Sequence, residues 1–414
     1  MKSALIRFRF LRAGCLLLLT AHLPLPLSAQ VNYTPYTFTT LAGAIQQYTN
    51  FCFPQCFPYP IPGYADGTGT NAVFYLPAGV AADGSGNVFV ADTLNGLIRR
   101  VAPDGAVGTI AGRHGVWGYL DGIGTNALFD FPVGLTVDTS GSLYVCEVAN
   151  NLIRKLTPGA AGWVVTTIAG AGQGIGGLGH ADGIGTNASF FQPVGIVANS
   201  RGVLYVSDSH NNTIRQLTPV GADWEVTTIA GTPTQIATNG PFNWSGGYSD
   251  GIGKHALFSQ PLGIAIDTED SLYVADSDNH VIRKLTRLPP SRGLRKTENW
   301  LVSTIAGSAG VPGSADGPDP DARFNRPFGL AMDSTGNLYV GDRGNFTIRK
   351  LSRAGHGWLV TALAGVPALA GSADGTGPYA IFAWPAGVAV DEAGNVYVAD
   401  QANSTIRKGW PAGQ

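Results

Sequence analysis

The stretch PAGVAVDEAGNVYVADQANSTIRK at residues 385–408 contains the main parts of a unit that recurs through the chain. Each copy begins with Pro-x-Gly and continues with three short runs of Val, Ile, Leu, Tyr and Ala, separated by Gly, Asp and Asn. The six prolines that begin the copies are Pro77, Pro132, Pro193, Pro261, Pro327 and Pro385. Successive copies lie 55 to 68 residues apart. A repeat of this size made of short strands is typical of β-propeller blades.

The apolar runs predict four strands in each copy, because they are five to seven residues long and are bounded by turn-forming residues. In the first copy these are an inner strand a at 80–83, then strand b at 88–92, strand c at 96–101 and an outer strand d at 107–112. The runs are apolar at nearly every position, which indicates sheets covered on both faces. We therefore predict an all-β, six-bladed β-propeller with four-stranded antiparallel blades, starting near 77, 132, 193, 261, 327 and 385.

The two ends of the repeat array predict how the ring closes. No outer strand follows the last strand c at 406–408, whereas residues 37–43, TFTTLAG, match the outer strand VTTIAG at 226–231 and have no blade of their own before them. We expect the N-terminal strand, at about 36–43, to complete blade 6. Closure of this kind removes the open edges that a linear stack of sheets would expose.

The combined pattern Pro-x-Gly-Val-Ala-Val-Asp, Gly-Asn-Val-Tyr-Val-Ala-Asp and Asn-x-x-Ile-Arg resembles the NHL repeat family over roughly residues 36–410. The resemblance implies a propeller. NHL propellers serve as protein-binding, RNA-binding, sensor and carbohydrate-associated modules, and a few related propellers are lyases or lactonases. The function therefore has to be argued from the site.

The N-terminal segment and the charge predict the compartment and exclude some partners. Residues 1–29 read as a cleavable secretory signal, with Arg7, Arg9 and Arg12 before an apolar run, so the mature chain of residues 30–414 is expected to begin at Gln30 and to be secreted or periplasmic. No later stretch is long and apolar enough to predict a membrane span. The net charge of −2 argues against nucleic acid as a partner, since that requires a dense basic surface. We expect a monomer.

The cysteines of the mature chain fall into two groups. Cys52 and Cys56 lie in the segment FCFPQCF and are candidates for a small disulfide loop in an oxidising compartment. Cys146 takes a strand b position that other copies fill with Ala, Ser or Gly, so we expect a buried small residue there.

An Asp-x-x-Asn motif, with Glu147 in place of Asp in the second copy, follows strand b in every copy. The d-to-a loops add a repeated Asp-Gly and a Phe, and an Arg stands on each strand c. A ring of six carboxylates looks catalytic. However, repetition in every blade favours a scaffold in which each carboxylate stabilises its own turn and is balanced by the adjoining Arg.

Two loops depart from the repeat and form the candidate ligand site. The d-to-a loops at 44–63 and 232–247 are enlarged and aromatic, and six-bladed geometry puts them at opposite sides of one face, called the top face. Exposed aromatic rings with Asn and Gln suit a glycan or a peptide or protein ligand. The alternative is that each loop packs its aromatics on itself. The candidate ligand-binding residues are Tyr48, Phe51, Phe53, Phe57, Tyr59, Trp117, Phe242 and Trp244.

An enzyme of the lactonase or lyase type would need metal ligands or acid/base groups at the axis. The upper positions of strand a are instead occupied by Gly, Ala, Val, Leu, Ile and one Thr. No catalytic residue and no cofactor are therefore predicted, and the sequence favours a non-catalytic binding scaffold. The alternative is a metal-dependent hydrolase or lyase with a divalent metal at the top rim. Its candidate ligands are Asp208, His210, Asp276 and His280.

Overall fold

The computed structural model describes residues 34, 36–45, 48–51, 57–60, 63–172, 178–233, 246–289 and 299–412. For 48–51 and 57–60 it describes the backbone alone. The predicted signal segment, Cys52 and Cys56 lie outside the described residues. Within the described part of the chain, no helix is long and apolar enough to cross a membrane.

Six sheets, one for each copy of the repeat, form the blades of the predicted propeller. Before the first blade the chain forms β1 (Tyr36–Ala42) and a hairpin of β2 (Tyr48–Phe51) and β3 (Phe57–Pro60). Blade 1 contains β4 (Gly67–Thr68), β5 (Val80–Ala82), β6 (Val88–Asp92), β7 (Leu97–Val101) and β8 (Ala106–Ala111). Blade 2 contains β9 (Gly122–Ile123), β10 (Pro132–Val137), β11 (Leu143–Glu147), β12 (Leu152–Thr157) and β13 (Val164–Ala169). Blade 3 contains β14 (Gly183–Ile184), β15 (Pro193–Ala198), β16 (Leu204–Asp208), β17 (Thr213–Val220) and β18 (Asp223–Ala230).

The second half of the ring repeats this order. Blade 4 contains β19 (Gly251–Ile252), β20 (Pro261–Ile266), β21 (Leu272–Asp276), β22 (Val281–Arg287) and β23 (Trp300–Gly307). Blade 5 contains β24 (Gly317–Pro318), β25 (Pro327–Met332), β26 (Leu338–Asp342), β27 (Thr347–Ala354) and β28 (Gly357–Ala364). Blade 6 contains β29 (Gly375–Thr376), β30 (Pro385–Val390), β31 (Val396–Asp400) and β32 (Thr405–Pro411), and it is completed by β1.

Single-turn 3-10 helices occupy two kinds of connection. One kind follows the first strand of a blade: Gly69–Asn71, Gly124–Asn126, Gly185–Asn187, Gly253–His255 and Gly377–Tyr379. The other joins strands b and c: Thr93–Asn95, Ser209–Asn211, Ser277–Asn279, Arg343–Asn345 and Gln401–Asn403.

Each blade has one strand more than the four that the sequence predicts. The Asp-Gly segment of the d-to-a loop forms a two-residue strand at the outer edge, as where Gly67 and Thr68 pair with Val107 and Ala106 of strand d. A strand of two residues is too short to show a hydrophobic period, so the sequence pattern did not reveal it.

The N-terminal strand closes the ring, as predicted. Residues of β1 pair antiparallel with β32, with Thr37 opposite Trp410 and Thr39 opposite Lys408. Phe38 is fully buried and packs edge-on against Phe382 at 5.3 Å between ring centroids. Blade 6 is therefore built from both ends of the repeat array.

The glycines of the six Pro-x-Gly motifs hold the blades together at the axis. A Cβ atom added to Gly134 would lie 1.9 Å from the carbonyl oxygen of Val194, the middle residue of the next motif. The same contact recurs in all six blades, and Gly387 closes the circle with a contact of 2.4 Å to the carbonyl oxygen of Ala78. Only a residue without a side chain permits this approach, which is why the motif repeats.

A second repeated contact joins the parts of each blade. In blade 3, Arg215 is fully buried and donates from Nη1 to Asp208 at 2.7 Å and from Nη2 to Asp182 at 2.9 Å. Its guanidinium lies 5.0 Å above the ring of Phe190, and Asp208 also accepts from the side-chain amide of Asn211 at 2.8 Å. The carboxylates after strand b are therefore scaffold groups, as the repetition indicated.

Glu147 takes the same role in blade 2. It accepts from Nη1 of Arg154 at 2.6 Å, from the Asp130 amide at 3.0 Å and from the side-chain amide of Asn150. The longer side chain thus makes the contacts that Asp makes in the other blades.

The a-to-b turns on the opposite face, called the bottom face, are fixed by an Asp at their first position in five blades and by Asn199 in blade 3. In blade 2, Asp138 accepts from the amides of Ser140 and Ser142 and from the hydroxyl of Tyr144 at 2.8 to 3.0 Å. Partial burial would by itself raise the pKa of Asp138, but these hydrogen bonds outweigh it and lower the pKa.

Cys146 is buried between blades 2 and 3, as predicted. Its side chain is fully buried, and Sγ donates to the carbonyl oxygen of Gly195 at 3.7 Å. Burial raises the pKa of the thiol well above its ordinary value, which makes it a poor nucleophile.

Candidate functional site at the axial mouth of the top face

The b-to-c turns and the d-to-a loops share the top face. In blade 1, the side-chain amide of Asn95, in the b-to-c turn, donates to the carbonyl oxygen of Gly63, in the d-to-a loop, at 2.9 Å. A corresponding hydrogen bond is present in all six blades. This face therefore has a rigid frame of backbone around the central channel.

The channel below this face has an apolar wall. Its upper part is lined by the Pro-x-Gly glycines together with residues such as Leu135, Ile196 and Leu330. Its middle part is lined by Val, Ile, Leu, Ala, Met and one Thr from the inner strands. At the bottom turns it is lined in part by the acidic side chains of Asp267, Asp270 and Asp333. The described residues that line the upper and middle channel thus bring no carboxylate or imidazole to the axis.

The six residues that immediately precede the Pro-x-Gly motifs lead into the inner strands at the top end of the channel. All six have φ between 48° and 55°, the left-handed region that side-chain-bearing residues rarely adopt. In ring order they are Trp384, Leu76, Phe131, Gln192, Gln260 and Arg326. Three consecutive blades of the ring thus have an apolar residue at this position, and the other three have a polar one. We call this set the pre-proline ring.

The apolar half of the ring carries an exposed aromatic pair. Trp117 and Phe131 stack with ring centroids 5.6 Å apart and an interplanar angle of 28°. They remain 44% and 40% exposed, respectively. Trp117 also lies over Gly96, where an added Cβ would meet the indole ring at 3.3 Å. The absence of a side chain at Gly96 therefore makes room for the indole.

The polar half contains a guanidinium held loosely by a neighbouring blade. Nε of Arg326 lies 3.5 Å from a carboxylate oxygen of Asp278, and the Arg326 side chain is 67% exposed. The backbone amide of Arg326 donates to Nδ1 of His280 at 3.1 Å. A long, exposed ion pair of this kind contributes little stability.

A second guanidinium lies where the two halves of the ring meet. Arg343 is stacked over Trp384 at 5.0 Å and over Phe328 at 5.5 Å, and its Nη2 donates to the side chain of Gln401 at 3.1 Å. Contacts with two rings orient a planar guanidinium for recognition of a planar anion.

Among the predicted ligand-binding residues, Trp117 is the one whose side chain the structure describes, and it lies on the top face. Tyr48, Phe51, Phe57 and Tyr59 belong to the β2–β3 hairpin, in which Phe51 is paired with Phe57. Strand β3 lies against the blade 6 turn at 401–403, so this part of loop 44–63 is on the top face. Phe53, Phe242 and Trp244 lie outside the described residues.

Two of the four candidate metal ligands, Asp208 and Asp276, are engaged in scaffold contacts. Asp208 and Asp276 are fully buried, and each accepts a hydrogen bond from the arginine of its own blade at 2.7 Å. Burial raises the pKa of Asp276 to about 6 and lowers the pKa of His210 and of His280. Among the described residues, no three His, Cys, Asp or Glu side chains are grouped closely enough to hold a metal ion. A metal site at these four residues stays a prediction.

Sequence reasoning missed the pre-proline ring. Its members share a place in the repeat but no residue type, and the reasoning concentrated on the enlarged loops. The available signal was variation at one fixed position beside an invariant proline.

Comparison with known proteins places the chain in a family. The sequence model of the NHL repeat matches residues 324–351 and 382–408, and that of the teneurin NHL domain matches residues 178–286. Human NHL repeat-containing protein 2 is 29% identical over 319 residues, which cover 70% of this chain and 40% of that protein. The chloroplastic protein SUPPRESSOR OF QUENCHING 1 of Arabidopsis thaliana is 28% identical over 298 residues, which cover 69% of this chain and 26% of that protein.

The chain thus spans well under half the length of these relatives. Among solved structures, an auxiliary nutrient binding protein from Bacteroides thetaiotaomicron has the same fold, with a TM-score of 0.61 at 16% identity over 91% of this chain and 76% of that one. The repeats, the sheet order and these matches agree. The chain is an NHL-repeat protein with the six-bladed propeller fold.

Proposed function

We propose that this chain is an exported, non-catalytic binding scaffold that holds a glycan, peptide or protein ligand on its top face, between the aromatic loops at 44–63 and 232–247. The exposed pair of Trp117 and Phe131 carries the proposal. An aromatic pair that is stacked and still more than one third exposed offers a flat apolar surface to a ligand.

The chemistry around the mouth supports binding over catalysis. The channel wall is apolar in its upper and middle parts, and the carboxylates that follow strand b are already held by buried arginines, as Asp208 is by Arg215. A general acid or base needs an accessible proton site, which a carboxylate fully buried in an ion pair does not provide. The Bacteroides nutrient binding protein of the same fold indicates that this architecture is compatible with ligand capture.

The test uses residues 30–414 on a glycan microarray and a displayed peptide library, with wild type and variants compared. Trp117→Ala removes the exposed indole, and Phe53→Ala with Trp244→Ala tests the two enlarged loops. We expect these changes to abolish the binding of any ligand that the wild type captures and to leave the fold intact.

The matched control is Tyr379→Ala, which removes a 77% exposed ring just after the outermost strand of blade 6. Binding that is unchanged in the Trp117, Phe53 and Trp244 variants, or lost equally in the Tyr379 variant, would contradict the top-face site. Circular dichroism of each variant checks the fold.

A further inference from the structure

The pre-proline ring keeps side chains where the backbone favours glycine. Residues at positive φ are strained unless they are Gly or, to a lesser extent, Asn. A second set of positive-φ positions, at the end of the b-to-c turns, follows this rule in three of six blades, with Gly96, Asn151 and Asn212. The pre-proline ring, in contrast, has neither Gly nor Asn in any blade.

The scaffold explains the second set better than it explains the ring. The side chains of Asn151 and Asn212 accept hydrogen bonds at 2.8 Å from the backbone amides of Gln192 and Gln260. These bonds fix the backbone of the ring residues and do not depend on the ring residues' own side chains. Leu76 is buried, so packing accounts for it. Phe131 stacks on Trp117, Trp384 lies under the guanidinium of Arg343, and Arg326 pairs with Asp278. These contacts leave the side chains partly exposed, and a ligand would explain why side chains are retained here in a strained backbone conformation.

The order of residues around the ring specifies the ligand's chemistry. Trp384 and Phe131 offer flat apolar surfaces on one side, while Gln192, Gln260 and Arg326 offer planar hydrogen-bonding groups on the other. A sugar ring has the same division, because its C–H face is apolar and its hydroxyl edge is polar. Arg326 and Arg343 add two guanidinium groups in one blade, which favour a carboxylate.

An extended peptide fits this mouth less well. Peptides that bind propeller or sheet proteins through their backbone need an open strand edge. The inner strands meet around the axis, where Gly134, Gly195 and their equivalents lie against the carbonyl oxygens of the neighbouring blade. The mouth therefore presents side chains rather than a free strand edge.

We infer that the pre-proline ring, together with Arg343, binds a uronic acid unit of an acidic oligosaccharide. The carboxylate lies on Arg326 and Arg343, the hydroxyl edge on Gln192 and Gln260, and the C–H face on the aromatic side of the ring. On binding, Arg326 exchanges the carboxylate of Asp278 for that of the ligand. Little free energy is lost in the exchange, because the ion pair with Asp278 is long and exposed. The inference rests on the proposed top-face binding function and names its ligand.

The experiment is isothermal titration of residues 30–414 with trimers of galacturonic acid and of glucuronic acid, and with their carboxyl-reduced neutral counterparts. We expect at least one acidic trimer to bind about tenfold more tightly than its neutral form, because a charge-assisted contact is lost on reduction. Arg326→Gln should remove most of this preference. Arg353→Gln, which removes a bottom-face guanidinium stacked 4.0 Å over Trp358, should not.

A double variant, Gln192→Gly with Gln260→Gly, separates binding from folding. We expect weaker binding by about tenfold or more with a melting temperature close to that of the wild type, since relief of left-handed strain offsets the larger chain entropy of glycine. A marked fall in melting temperature would show that these side chains are structural and would overturn the inference.

The outcomes also distinguish this inference from the proposed function. Tighter binding of a neutral trimer or of a glutamate-rich control peptide, with loss of that binding in the Trp117→Ala variant, would overturn the uronate assignment and leave the top-face scaffold standing. Failure of every acidic trimer to bind would overturn the uronate assignment, and the array experiment would then decide the scaffold by itself.

Discussion

Gly134→Ala is the substitution that tests the glycine ring most directly. The new Cβ would lie 1.9 Å from the carbonyl oxygen of Val194 and 3.0 Å from its carbon, so the two inner strands must separate by about 1 Å to reach even a tight contact. Because the ring is closed, blade 2 cannot move away from blade 3 without pressing on blade 1, where Val133 already touches Gly79.

The size of the expected loss of stability depends on which atoms the new Cβ meets. Overpacking a core by a methyl group costs about 1–3 kcal/mol, and the upper end applies where main-chain atoms cannot rotate aside. We expect Gly134→Ala to lower the free energy of unfolding by about 3 kcal/mol, with a fall in melting temperature of several degrees. Gly84→Ala is the control, because no atom lies within 4 Å of the added Cβ and its backbone is not left-handed.

The assay is thermal and urea unfolding followed by the fluorescence of the eight tryptophans and by calorimetry. We expect the control to remain within about 0.5 kcal/mol of the wild type. If Gly134→Ala unfolds at the same temperature and urea concentration as the control, the blades are not held by backbone contact at the axis and the reasoning fails.

Three further predictions concern charge and burial. Arg215→Met should cost about 3–5 kcal/mol in urea unfolding because it leaves a buried carboxylate without its cation, whereas the exposed control Arg100→Met should change little; equal effects would refute the scaffold role. The pKa of Asp138 is lowered in the folded protein, so its contribution to the free energy of unfolding is present above its ordinary pKa and is lost as the pH falls through the folded pKa. Stability should therefore fall on acidification, and it should fall less in Asp138→Asn. In native protein Cys146 should resist iodoacetamide until urea unfolds the chain, as read by peptide mass spectrometry; rapid native labelling would contradict its burial.

Much of the fold can be predicted from the sequence because its determinants repeat. The Pro-x-Gly motif recurs wherever an inner strand touches its neighbour, and the unmatched strand at 36–42 reveals the closure of blade 6. The outermost strands could not be predicted, since a pair such as Gly67 and Thr68 is too short to show a period.

The site is harder to predict because it depends on what does not repeat. Phe131 and Arg326 share a backbone conformation and a place in the blade, yet nothing in their side chains signals it. The blade topology predicted that loop 44–63 lies on the top face, and the hairpin of β2 and β3 lies there. The role of its aromatic residues stays a prediction. The positive φ angles that define the ring belong to the folded backbone, which residue type alone does not encode at these positions.

Ring closure also determines where the ends of the propeller lead. Tyr36 begins β1 directly opposite Pro411, at the end of β32, and both lie at the c-to-d end of blade 6, on the bottom face. A tether, purification tag or neighbouring domain attached at either end would therefore leave from the face away from the mouth. Coupling the protein to a sensor surface through either end should present every molecule with its top face outward, which suits a test of the proposed ligand binding.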